Sequence, residues 1–377
     1  MDRPVRIGIS GSYGGMNLGD EAILESIISQ IRKSLQADIT VFSRNPHDTL
    51  ARHRVERALP VRSLTRRESM HEIQNLDVFI LGGGGILFDR DAHRYLREVF
   101  IAHEVGVPVI TYAISAGPLN TAFAREAVQS ALNGAALVTV RDQLGLRLLE
   151  DVGVTREIQL TADPAFLLEP DPLSVDALKA EGVDFDRDLV GFSVREPGPA
   201  APDIDPDDYY ALLANAADFV VERYNADVVF VPMEKTDVQH SHSVVGHMKN
   251  SDRAEILRRR YSPRQVLDLM GRFEFVIGMR LHFLIFAALR GVPFAALPYA
   301  TKVNGLLEDL NLPSPALSAI GIGQLIANVD RSWDTRHEIR GMIEERIPAL
   351  KTRAARTNEL LLEVLAGRTA GEQPSVH

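Results

Sequence analysis

The sequence predicts an α/β protein made of two doubly wound, Rossmann-like domains facing each other across a cleft. Three observations carry this. The chain has 377 residues, long for one core. Short apolar runs alternate with segments of helical spacing in both halves. Glycine-rich or charged turns follow those runs, at the carboxyl ends where an open parallel sheet binds ligands.

Val5–Ser10 reads as the first strand, and Gly11-Ser-Tyr-Gly-Gly-Met-Asn-Leu-Gly-Asp20 as a glycine-rich turn. Ile23, Leu24, Ile27, Ile28, Ile31 and Leu35 then recur as one helix face. Such a turn puts backbone N–H groups at a helix start, a ready anion site. Gly11, Gly14, Gly15 and Gly19 miss the dinucleotide register, and no Walker sequence follows. An NAD enzyme or an NTPase is therefore not expected. Asp20 reads as a first-turn acid or a substrate contact, and Asn17 as a turn residue or a ligand contact.

Leu76–Leu81 is expected as the third strand, with the loop Gly82-Gly-Gly-Gly-Ile-Leu-Phe-Asp89 after it. Gly83 and Gly84 would let backbone approach a ligand, or a helix approach the sheet. Val107–Ala113 and Ala136–Val140 follow, the latter ending in Arg141-Asp142. Arg141 belongs at the ligand edge, or pairs with a neighbouring acid. Asp163 precedes Pro164 and reads as a turn residue or a site residue.

The expected divisions are a first domain over 1–168, a linker over 169–188 and a second domain over 189–332. A helical segment over 333–366, interrupted or bent at Pro348, and a disordered tail over 367–377 follow. In the second domain Leu189–Val194 ends in Arg195, and Val228–Val231 in Pro232-Met-Glu234. The stretch from Phe275 to Val303 organises the rest. An apolar strand ends at Gly278, Arg280 and His282 follow, then a wholly apolar helix, a second strand and Lys302. Two parallel strands joined by a helix bring these residues to one sheet edge. Fixed cations beside an imidazole suit an anionic substrate that undergoes proton transfer.

Composition narrows the classes. The chain is 45% hydrophobic and 24% charged, with net charge −10, which argues against a broad nucleic-acid surface. With no cysteine, disulfides, thiolate catalysis and thiolate metal sites are excluded. No signal core or membrane span is visible, so a cytoplasmic enzyme that touches the inner face of a membrane only peripherally is expected. His240 and His242 on an extended segment, with His247 further on, raise a metal question, but no carboxylate or third ligand has fitting spacing and no metal is expected. They read as solvated loop residues or as contacts for a ligand in the cleft. Arg258-Arg-Arg260 reads as a solvated run, or as a contact for an anionic headgroup.

Together Gly14-Gly-Met-Asn-Leu-Gly-Asp-Glu-Ala22, Leu81-Gly-Gly-Gly-Gly85, Gly278-Met-Arg-Leu-His282 and Pro298-Tyr-Ala-Thr-Lys-Val303 resemble the polysaccharide pyruvyl transferase family. Phe88-Asp-Arg-Asp91 and Pro232-Met-Glu234 depart from its pattern. The resemblance implies a GT-B-like fold. It also implies pyruvyl transfer from phosphoenolpyruvate to a saccharide or lipid-linked saccharide, without cofactor, in making a cell-surface polysaccharide. Arg141, His282 and Lys302 match the positions expected to handle the donor. In this reading His282 transfers a proton, with Asp20 a second catalytic candidate. Arg280, Lys302, Arg141 and Arg195 hold the donor anions. Gly14, Gly15, Asn17, Gly83, Gly84 and Asp163 line the acceptor side. The rivals are a nucleotide-sugar glycosyltransferase or epimerase of the same fold, and a non-catalytic binder of anionic glycans.

Overall fold

The computed structural model describes residues 3–196, 205–297, 301–313 and 322–371. The chain divides into two compact units. One comprises Met1–Met16, Asp20–Leu168 and Leu350–His377; the other comprises Asn17–Gly19 and Glu169–Ala349.

In the first unit, β1 (Val5–Ser10) leads through the glycine-rich turn to α1 (Leu18–Ser34). Ile23, Leu24, Ile27 and Ile31 of α1 are wholly buried, as their spacing on one face requires. There follow β2 (Ala37–Ser43), α2 (Pro46–Arg52), β3 (Arg57–Pro60), α3 (Arg66–Ile73), β4 (Val78–Leu81) and β5 (Gly84–Leu87). After these come α4 (Ala92–Glu104), β6 (Val109–Thr111), β7 (Ile114–Ala116), α5 (Ala122–Asn133), β8 (Val138–Val140), α6 (Gln143–Val152) and β9 (Ile158–Leu160). They form two sheets, β3-β2-β1-β4-β6 and β5-β7-β8-β9, with all the pairings parallel.

Four strands go beyond the sequence expectation: β3, β5, β7 (which lies where a turn is expected) and β12 (Ala254–Ile256) of the second unit. The edge strand β3 is Arg-Ala-Leu-Pro, and none of its residues is fully buried, so it lacks an apolar signature. The four-glycine run does not stay a loop: its last two residues open β5, held by main-chain pairing with β7. Local capping explains other boundaries. Thr65 and Glu68 form a capping box at α3. Asp142 caps α6 by accepting the Gly145 N–H at 2.7 Å, and Gly153 (φ 93°) ends that helix.

At the amino end of β4, Asp77 accepts from Arg3 on both oxygens at 2.7 Å and from the Arg6 N–H at 2.8 Å. Burial alone would raise this carboxyl, but the bonds from Arg3 and Arg6 outweigh it and lower it to about 2. A carboxylate held below its unfolded value stabilises the fold above that value and loses the contribution as pH falls towards 2. Asp77→Asn is therefore expected to destabilise by about 0.5–1 kcal/mol at neutral pH. In thermal melts the gap to the unaltered protein should close as pH is lowered from 4 to about 2.

The second unit begins with α7 (Val175–Lys179) and β10 (Leu189–Ser193), then α8 (Pro206–Tyr224), β11 (Asp227–Phe230), α9 (Asp237–His247) and β12 (Ala254–Ile256). It continues with α10 (Pro263–Met270), β13 (Phe275–Gly278), α11 (Leu281–Leu289), β14 (Phe294–Ala296), α12 (Thr301–Asp309) and α13 (Ile322–Asp334). The last helix, α14 (Arg336–Gly371), starts in this unit and ends in the first. The sheet order is β12-β11-β10-β13-β14, all parallel. Its core includes Phe192, Phe230, Phe275 and Ile277, none of them exposed.

Residues 169–188 are part of this unit rather than a free linker. Leu173 and Leu178 are buried, and Leu173 bonds through both main-chain groups to Asp268 and Arg272. The C-terminal segment also corrects the expectation. Helix α14 runs on through Pro348, which removes one main-chain donor without ending the helix, and it continues to Gly371. Of the expected tail, 372–377 lies outside the described residues. No helix among the described residues is long and apolar enough to cross a membrane.

Candidate functional site

In the sheet of the second unit, chain order reverses between the neighbours β10 and β13. The segments leaving those two strands open the crevice that an α/β sheet offers to ligands. They are Val194-Arg195-Glu196 after β10 and Met279-Arg280 after β13. The Tyr209 hydroxyl joins them, donating to the Arg195 carbonyl at 3.3 Å and meeting the Met279 sulfur at 2.8 Å.

Arg280 precedes α11 and is buried. Its Nε–H donates to Asp237 Oδ2 at 3.0 Å, and Nη2 reaches both Asp237 Oδ1 and Glu234 Oε2. Asp237, in the first turn of α9, also accepts the Met233 and Glu234 N–H groups at 3.1 Å each. Burial pushes the Asp237 carboxyl up, with Arg280 opposing. The expected donor clamp is thus already answered by two protein carboxylates. Its positive charge is balanced, and what it visibly does is fix the Pro232–Asp237 turn against the end of β13.

Glu234 also accepts from Asn17 Nδ2 at 3.3 Å. Asn17 Oδ1 accepts the Gly19 N–H at 3.0 Å, and the Leu18 N–H donates to the Met233 carbonyl at 2.8 Å. Asn17 therefore caps α1, and its amide is bonded at both ends. His282 is the second residue of α11 and half-buried. Its imidazole lies directly on Gly19, where a Cβ would collide with Nδ1. Lys302 is exposed in the first turn of α12, the helix that follows β14. Because β14 pairs in parallel with β13, Lys302 leaves from the same carboxyl edge as Arg280 and His282. Pro298, Tyr299 and Ala300 of that motif lie outside the described residues.

Two neighbours of His240, Tyr210 and Glu196, were not singled out from the sequence. His240 sits on helix α9, not on an extended segment, so His242 faces another side and is exposed. His240 Nδ1 pairs with the Tyr210 hydroxyl at 2.7 Å, and its Nε2 lies 3.7 Å from Glu196 Oε2. Burial lowers this imidazole below its ordinary range, and Arg280 and Arg195 repel its charge while Asp237 opposes them. Arg195 pairs with Glu196, a second balanced cation. Among the described residues no cluster could hold a metal ion. The run Arg258–Arg260 is exposed.

In the first unit the glycine loops have structural causes. Gly14 has φ 72° and donates its N–H to Glu21 at 2.9 Å, and a side chain there would strike Ser43. Gly15 is covered by the Arg44 guanidinium, and Gly83 abuts the Tyr112 carbonyl. These three are glycines because protein fills the space a side chain would need. Gly84 (φ 101°) is different: its nearest side chains are Ile23 and Asp20, at 3.5 and 3.8 Å from where a Cβ would lie.

Arg141, at the end of β8, is buried with Asp163, its Nη1 donating to Oδ2 at 2.7 Å. Asp142 lies 3.4 Å from its Nε. Burial works against this guanidinium's charge, and the two acids more than restore it. Asp163 uses its other oxygen to accept the Ala165 N–H at 2.9 Å, so it is a turn residue in an ion pair. Tyr13 was missed: its side chain is wholly buried beside Gly82, and its hydroxyl has no partner among the described residues. Burial, reinforced by Asp20, Glu21 and Asp163, holds that phenol well above its ordinary value.

Comparison with known proteins bears on this arrangement. The chain aligns with Amylovoran biosynthesis protein AmsJ of Erwinia amylovora at 21% identity, over 73% of this chain and 71% of that protein. Its fold is similar to that of S. aureus MnaA in a UDP co-structure, with TM-score 0.65, 11% identity and full coverage of both chains. It is also similar to UDP-GlcNAc 2-epimerase from Neisseria meningitidis bound to UDP-GlcNAc. There the TM-score is 0.64 at 11% identity, over 96% of this chain and 99% of that one. At such identities these solved structures establish the two-domain, GT-B-like architecture and nothing finer. The family model for polysaccharide pyruvyl transferase matches residues 17–301, from the cap of α1 to the start of α12, so the chain belongs to that family.

Proposed function

We propose that the protein transfers a pyruvyl group from phosphoenolpyruvate to two hydroxyls of a saccharide, forming a cyclic ketal and releasing phosphate. The product would enter a cell-surface polysaccharide. The observation that carries this is the seating of His282 in the first turn of α11, at the carboxyl edge of its sheet and against Gly19.

Ketal formation adds a proton to the methylene carbon of the enol, which makes the neighbouring carbon electrophilic. One sugar oxygen bonds to that carbon, a second replaces the phosphate, and the two hydroxyl protons are accounted for by the new methyl group and the departing phosphate. An imidazole changes protonation near neutral pH and can serve either transfer. The α11 N-terminus favours negative charge, and Lys302 adds a cation at the same edge. Arg280 and Arg195 then act as charged supports, already balanced, that hold the edge in shape. Asp20, beside Gly84, is retained as the second catalytic group, whereas both oxygens of Asp163 are engaged.

Phosphate release from phosphoenolpyruvate with a panel of sugar and lipid-linked sugar acceptors tests the reading. Release with at least one acceptor is expected. No release with any, together with thermal stabilisation by a nucleoside diphosphate, would favour a nucleotide-sugar enzyme instead. Lys302→Ala should weaken phosphoenolpyruvate binding about tenfold, or ~1.4 kcal/mol. Unchanged affinity would remove Lys302 from the donor site.

A further inference from the structure

A second imidazole stands at the ligand edge of the second unit and has no part in the roles above. His240 lies one turn into α9, the helix that follows β11, three residues after Asp237 and so on the same helix face. That face turns toward the crevice between β10 and β13. Asp237 bonds to Arg280 there, and Glu196, which follows β10, comes within 3.7 Å of His240 Nε2.

Two contacts fix the ring. Tyr210, on α8, pairs its hydroxyl with Nδ1 at 2.7 Å, and the two rings stack with centroids 6.0 Å apart. The other nitrogen is not tied. Glu196 Oε2 is too distant for a hydrogen bond, and Nε2 has no hydrogen-bond partner among the described residues. The imidazole is 18% exposed and Glu196 41%, so a ligand atom can reach this nitrogen. The ion pairs of this corner join Arg195 to Glu196, and Arg280 to Glu234 and Asp237, so both cations are already balanced. The corner suits a neutral hydroxyl better than the donor's carboxylate. Burial, with Arg280 and Arg195 adding and Asp237 opposing, holds the imidazole below its ordinary range and so neutral, the form that accepts a proton.

We propose that His240 is a further catalytic residue of the pyruvyl transfer, the base for the sugar hydroxyl whose oxygen displaces the phosphate, with Tyr210 positioning its ring. Nδ1–H donates to the phenol oxygen, which leaves the Nε2 lone pair facing the crevice. Nε2 takes the hydroxyl proton as the new C–O bond forms and the bond from that carbon to the phosphate oxygen breaks. The imidazolium then gives the proton to the departing phosphate and ends neutral, while His282 serves the proton that reaches the methylene carbon. The assignment rests on the pyruvyl-transfer reading and supplies a group for the second of its two protons.

Steady-state phosphate release by the full chain, with phosphoenolpyruvate and an acceptor that the panel finds productive, is the experiment. His240→Gln is expected to lower kcat by about 10²–10⁴-fold, while KM for phosphoenolpyruvate changes by no more than a few-fold. In His240→Ala, added imidazole should raise the residual rate about tenfold or more, which it does not do for a misfolded chain. Arg195→Gln removes a charge that repels the imidazolium, so the acidic limb of kcat/KM should move to higher pH. Tyr210→Phe removes the acceptor for Nδ1–H and should move that limb to lower pH. A His240→Gln variant that turns over near normally would overturn the role alone. So would an inactive His240→Ala that imidazole leaves unchanged, with an acidic limb that stays in place in the other two variants. No release by the unaltered protein with any acceptor would instead overturn the pyruvyl-transfer reading, and this role with it.

Discussion

Asp237→Ala is expected to lower stability by about 3–5 kcal/mol, the cost of removing one partner from a buried ion pair. The Asp237 side chain is not exposed at all, and it accepts from Arg280 on two atoms and from the Met233 and Glu234 N–H groups. Without it Arg280 stays buried against Glu234, and the turn before α9 loses two main-chain bonds. Chemical denaturation at neutral pH checks this. Asp237→Asn, which keeps the shape and an acceptor oxygen, should fall between the alanine variant and the unaltered protein. A loss below about 1 kcal/mol for alanine would mean that Glu234 alone neutralises Arg280.

His282→Ala is expected to reduce turnover by about 10²–10⁴-fold, the usual worth of a positioned acid or base. Phosphoenolpyruvate affinity should change by no more than a few-fold. His282→Gln separates chemistry from packing, because glutamine refills space beside Gly19 but transfers no proton at neutral pH. If the glutamine variant turns over near normally, His282 is a packing residue. If both variants lose donor affinity and rate together, the imidazole binds the anion instead.

Most of this architecture could be read from residue pattern. The β1 strand, the α1 face from Ile23 to Ile31 and the apolar run around α11 are local patterns, and burial follows them directly. The edge strand β3 escaped because half-exposed main-chain pairing leaves no apolar period. In the candidate site, Arg280, His282 and Lys302 could be placed at one sheet edge because each lies in the turn or first helical turn after an apolar strand. Their partners were not: Asp237 is 43 residues from Arg280, and Asn17 is 217 from Glu234. Glycine was ambiguous in another way. Gly15 and Gly83 look like ligand loops in sequence, yet they accommodate Arg44 and the Tyr112 carbonyl. Only coordinates separate space kept for a substrate from space filled by the protein itself.

The three residues Asn17–Gly19 belong to the second unit although the chain on either side of them belongs to the first. Modularity is therefore incomplete. A cassette cut at residue 169 would carry His282 but not the backbone surface at Gly19 on which its ring rests, nor the amide that meets Glu234. Exchange of halves between relatives would transplant an imidazole without its floor. Recombination that keeps this contact must move the short stretch after β1 together with the strand–helix pair β13–α11, two pieces far apart in the gene.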